Sequence, residues 1–87
     1  MNVSNILNNN GNKVPNQFEI TDDQGNIYFQ SYSKVIAKKV NGKIYLDSVY
    51  WDYSVTTGKY RNIFLGEKKP ETEKKIKSGE YKLVNLN

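Results

Sequence analysis

The chain is 87 residues long, enough for one small domain, with a formal charge of +4 and neither cysteine nor histidine. Those two absences exclude disulfides, thiolate or histidine metal sites, Ser-His and Cys-His nucleophile pairs and the commonest general base, so neither a cofactor nor catalysis is expected. The basic excess is uneven: residues 1–33 hold one lysine against three acids, whereas residues 34–87 hold 12 Lys or Arg against six, a net of +6. Such an excess favours polyanionic partners, although an Asn- and Lys-rich usage of this kind also fits coding bias.

In chain order, residues 1–16 are polar and Asn-rich, with Val3, Ile6 and Leu7 as the early apolar side chains. They are expected to be disordered or loosely docked, and residues 17–87 to form a single folded domain. Phe18 and Ile20 alternate with Glu19 and Thr21, the period of a half-buried strand. Asp22-Asp23-Gln24-Gly25 reads as a turn, and the aromatic, β-branched run from Asn26 to Tyr32 as the returning strand of a first hairpin.

Val35–Val40 and Lys43–Asp47 flank Asn41-Gly42, the strongest short-range hairpin signal, because a type I′ turn needs positive φ at both central residues. A two-residue loop fixes the register: Val40 opposite Lys43, Lys39 opposite Ile44, Lys38 opposite Tyr45, Ala37 opposite Leu46. Val35, Ala37, Ile44 and Leu46 then share the core face. Lys38, Lys43 and Tyr45 share the other face with Ile36 and Val40, where they can meet a ligand.

After Val49–Tyr53 the period changes. Thr56, Tyr60, Ile63 and Phe64 form one helical stripe, with Ser54, Thr56 or Thr57 able to cap it and Gly66 to end it. Lys69–Gly79 predicts a second short helix, with Pro70 in its first turn, acids early and bases late. Tyr81–Leu86 reads as a closing strand. The fold class is α+β, an antiparallel sheet of four to five strands with one or two short helices packed on one face.

The acids have structural readings. Asp22 and Asp23 fall in a turn, Glu71 and Glu73 in a helix start, and Asp47, Asp52 and Glu67 are too scattered for a strong metal signal. Thr57-Gly58-Lys59 fails as a phosphate loop, with Tyr53 in the place of its first glycine and Tyr60 in the place of its final hydroxyl residue. A looser phosphate site remains open, built from Ser54, Thr56 and Thr57 hydroxyls with Lys59 and Arg61; plain helix capping explains the same hydroxyls. The aromatic share of 13% exceeds what so small a core hides completely. Tyrosines interleaved with lysines on a sheet are how single-stranded nucleic acid is held, bases on rings and amines on phosphates. The Lys38–Tyr45 pair is the best placed example.

Phe29-Gln30-Ser31-Tyr32, Trp51-Asp52-Tyr53-Ser54-Val55-Thr56-Thr57 and Asn62-Ile63-Phe64-Leu65-Gly66 resemble a family of small, uncharacterised tailed-bacteriophage proteins. The resemblance implies a viral source and expression in the cytoplasm of a bacterial host, and it supplies no activity. Three functions are therefore expected in turn: a non-enzymatic phage accessory protein binding a phosphate-rich ligand, most simply single-stranded nucleic acid or a nucleotide; an anti-defence protein that inhibits a host defence protein by binding it; or a small virion or assembly component. No apolar run approaches the roughly 18–20 residues of a membrane span, so no membrane partner is expected. A homodimer through an exposed edge strand is open.

Overall fold

The chain passes through β1 (Asn2–Leu7), β2 (Lys13–Thr21), β3 (Ile27–Ser31), β4 (Lys34–Val40), β5 (Lys43–Asp47), α1 (Val55–Leu65), α2 (Lys69–Ser78) and β6 (Tyr81–Val84). These elements are those of a computed structural model that describes residues 1–87. The six strands lie side by side in chain order. Neighbours from β1 to β5 are antiparallel, and β5 and β6 are parallel because the two helices carry the chain back to the starting end of the sheet. The class is α+β as expected, with one more strand and one parallel pair.

The extra strand is β1. Where a disordered or loosely docked segment is expected, Asn2–Leu7 pair with β2 and place Ile6 in the core at 8% exposure. One buried anchor and a backbone ladder hold the segment, whose other apolar side chains, Val3 and Leu7, stay exposed. The Asn8–Asn12 turn is closed by the Asn8 side chain, whose Oδ1 accepts from the Asn10 and Asn12 amides.

The central hairpin has the register that Asn41-Gly42 dictates, with φ of 50° and 79° at the two turn residues. Two residues depart. Phe29 pairs with Ala37 and Gln30 with Val35, so Ile36 is the extra residue of a β-bulge. The bulge turns Ile36 away from the lysine face and into the core, where it and Ala37 are both fully buried, and it moves Val35, expected on the core face, to the other face opposite Gln30.

Both helices cover the same face of the sheet. Phe64 stacks on Phe29 with ring centroids 5.8 Å apart, and the two close a core with Ile6, Ile36, Ala37, Leu46, Tyr60 and Tyr81. Burying Phe29 alone is worth about 1.5–3 kcal/mol. Ser54 caps α1, its Oγ accepting from the Thr57 amide at 3.1 Å, and Gly66 ends it at φ 71°. α1 has no basic residue in its last turn; Lys39 of β4 reaches across instead, donating to the Phe64 carbonyl at 2.7 Å. The buried stripe of α1 is Thr57, Tyr60, Arg61 and Phe64 rather than the expected Thr56, Tyr60, Ile63 and Phe64. Ile63 is 53% exposed. Hydrogen bonds at Thr57 and Arg61 allow polar side chains to point inward.

Candidate nucleic-acid interface

The sheet face opposite the helices carries the candidate site. Strand pairing puts Val3, Ile20, Tyr28, Lys38, Tyr45 and Lys82 in one row across all six strands. Over β3 to β6 the row alternates aromatic, cation, aromatic, cation. Adjacent strands are about 4.8 Å apart, so Tyr28 and Tyr45 present rings about 9–10 Å from one another with an amine between them. The Lys38 amine lies 5.3 Å from the Tyr28 ring centre, a cation–π contact that holds it over the face.

Neighbouring residues extend the row. Lys43 pairs with Val40 and shares the face with Tyr45; Lys43, Tyr45 and Lys82 line a cleft of about 200 Å³ bounded by the Gly79-Glu80 turn. Tyr28 donates its hydroxyl to Asp22 Oδ2 at 3.1 Å, which fixes the ring's outer edge. Burial pushes the Asp22 carboxyl up, but bonds from Asn26, Gln24 and Tyr28 outweigh it and hold the group below its ordinary 3.8. The acid is therefore ionised and occupied at the rim, and Glu80 is the one acid lining the cleft beside Lys43 and Lys82.

Of the residues expected to bind a ligand, Lys38, Lys43 and Tyr45 come together here. Tyr28 and Lys82 join them without having been singled out. Tyr28 is legible from the first hairpin once its register is extended to β4, whereas Lys82 needs the β5–β6 pairing, a contact between distant segments.

The α1 group does not assemble. Ser54 is spent on the cap and on a bond to Thr57 Oγ1 at 3.1 Å. Thr57 is fully buried, sharing a 2.9 Å hydrogen bond with Ser31. Arg61, at 1% exposure, donates to the Trp51 carbonyl, Asp52 Oδ1 and Asn62 Oδ1, and cannot reach a ligand. Thr56 and Lys59 are exposed, but Lys59 lies near Asn8–Asn10, Tyr60 and Ile63 on the helix side, away from Lys38.

The scattered acids are likewise engaged. Asp47 accepts from the Val49, Tyr50 and Leu86 amides, Asp52 pairs with Arg61 and Lys69, and Glu67 accepts from Thr72, Lys75 and Tyr81. No group of three or more Asp, Glu, His or Cys is arranged to hold a metal ion. No helix is long and apolar enough to cross a membrane.

Residues 1–81 match the model of a family of unknown function, DUF8033. The chain belongs to that family. The DUF8033 match runs from before β1 to the first residue of β6, so the whole α1–α2 crossover and all of the open face except Lys82 and its strand lie inside it. No curated protein and no solved structure matches the chain.

Proposed function

We propose that this DUF8033 protein is a non-enzymatic accessory protein that binds single-stranded nucleic acid on the open face of its sheet. The Tyr28–Lys38–Tyr45–Lys82 row carries the reading. Two rings on one face supply stacking platforms that tolerate any base, and the alternating amines neutralise the phosphates between them. Lys43 adds a third cation beside Tyr45. A duplex presents no free base faces, so single strands are the form this surface suits. The resemblance to small tailed-phage proteins supports an infected bacterial cell as the setting.

The β1–β2 half of the same face carries Val3, Phe18 and Ile20 beside Asn5, and Val3 is 60% exposed. That half favours a second reading, in which a host defence protein covers the face and is inhibited by binding. Fluorescence anisotropy of a labelled oligonucleotide at low salt tests the first reading. Binding that falls steeply as salt rises is expected, through counterion release, and no binding of DNA or RNA at low salt would end it. Capture from host lysate with and without nuclease separates the two, since a protein complex survives the treatment.

A further inference from the structure

A second concave site lies on the helix side of the sheet, at the end of the β3–β4 hairpin. Ser31 and Lys34 pair there, and Tyr32-Ser33 make the two-residue turn between them. With Tyr50 and Tyr53, from the segment between β5 and α1, these residues line a cleft of about 430 Å³, within the range of small-molecule pockets. Tyr50 and Tyr53 meet edge to face at 5.5 Å, and the Lys34 amine lies 5.0 Å from the Tyr50 ring centre. No acid is among the lining residues.

Tyr32 is the unusual member. Its φ is 56°, the left-handed region that a bulky residue rarely occupies. Elsewhere this chain fills that region, outside glycine, with Asn16 at 64° and Asn41 at 50°. The Tyr32 ring is half exposed, stacks on no other ring and is not part of the core. A turn that would suit Asn or Gly thus holds an aromatic ring at the mouth of a cleft, which is strain where a ligand would use it.

We propose that this cleft binds a planar aromatic ring bearing an anionic group, a nucleotide monophosphate unit. The tyrosines take the ring, with Tyr32 free to close on it, and Lys34 with the Ser33 hydroxyl meets the phosphate. Lys34 already occupies the cation-binding face of Tyr50, which opposes a cationic ligand and selects an anionic one. The unit comes either from a free nucleotide or from the end of a strand, and the site is independent of the open face on the other side of the sheet.

Calorimetric titration of the intact protein with 5′-AMP, adenosine and inorganic phosphate tests the site, alongside a decathymidylate with and without a 5′-phosphate. AMP is expected to bind more tightly than adenosine or phosphate, and Tyr53→Ala to weaken it at least about tenfold through the lost stack. Lys34→Gln should bring AMP down to the affinity of adenosine. Lys38→Glu, on the open face, should leave AMP binding unchanged. Tyr32→Asn should weaken AMP while raising the melting midpoint, because Asn accepts the turn conformation. Tighter binding of the 5′-phosphorylated than of the unphosphorylated oligonucleotide, a difference lost in Lys34→Gln, identifies a strand end; equal binding of the two identifies the free nucleotide. No AMP binding, indifference to Tyr53→Ala, or a lower melting midpoint for Tyr32→Asn would overturn the site.

Discussion

The Arg61 guanidinium lies 5.1 Å from the Trp51 ring centre and 2.8 Å from the same residue's carbonyl oxygen. Its second partner, Asp52, also holds Lys69 at 2.6 Å, so one buried cation ties the β5–α1 segment, α1 and the start of α2 together. Burial pushes the Asp52 carboxyl up, and the bonds from Lys69 and Arg61 outweigh that and keep it below its ordinary 3.8. Arg61→Ala is expected to destabilise by about 2–4 kcal/mol through the lost volume and the stranded partners. Urea unfolding measures this, and oligonucleotide affinity of the folded fraction should not change.

On the open face, Lys38→Gln and Lys82→Gln are each expected to weaken oligonucleotide binding and to lower the slope of log affinity against log salt by about 0.7. Tyr45→Ala should cost about 1–3 kcal/mol of affinity and leave that slope unaltered, since it removes a stack and no charge. Anisotropy titrations over a salt series read both quantities.

Ser54→Ala separates capping from phosphate binding. Loss of the cap should destabilise by about 1 kcal/mol, with no effect on any anionic ligand. Thermal melting and the same titrations give the two answers.

Gly58 lies inside α1, where a Cβ would meet the Arg61 guanidinium at 3.6 Å, an ordinary contact distance. Gly58→Ala is therefore expected to stabilise by about 0.5–1 kcal/mol by restricting the unfolded chain. A higher urea midpoint with unchanged ligand affinity is the expected result.

Acid should weaken the fold through Glu67. Burial pushes its carboxyl up, but bonds from Lys75, Thr72 and Tyr81 outweigh this and hold it below 4.5. A carboxylate depressed in the folded state contributes fully above its unfolded value and loses that contribution as pH falls through the lower, folded one. Stability should therefore decline from about pH 4.5 downward. Lys75, raised above its ordinary 10.5 by Glu67 and Tyr81, loses its contribution only in strong base. Glu67→Gln should be less stable at neutral pH and flatter across the acid range, as urea midpoints from pH 7 to 3 would record.

Local chemistry made part of this legible. Asn41-Gly42 admits one turn, a two-residue loop admits one register, and so Lys38, Lys43 and Tyr45 fall on one face before any tertiary contact is known. Ser54 and Gly66 bound α1 for equally local reasons. Ile36 escapes such reasoning because a bulge shifts the alternation, and nothing in Val35–Val40 marks where. Arg61 escapes because its inward position depends on Trp51 and Asp52, which are brought beside it only by folding. β1 and the parallel β6 depend on partners elsewhere in the chain, and Lys82 enters the site only through the second of these pairings.

The strand order also sets a sequence of events in folding. β1 to β5 are joined by short turns, so each pairing closes a small loop and can form without waiting for the rest. β6 pairs with β5 across the whole α1–α2 crossover, the longest connection between paired strands and so the costliest loop closure. Tyr45 and Lys82 are therefore expected to become neighbours last, and a chain stalled before that point would show the aromatic half of its surface without the cation that completes it. Completion of the Tyr28–Lys38–Tyr45–Lys82 row and completion of the sheet are the same step.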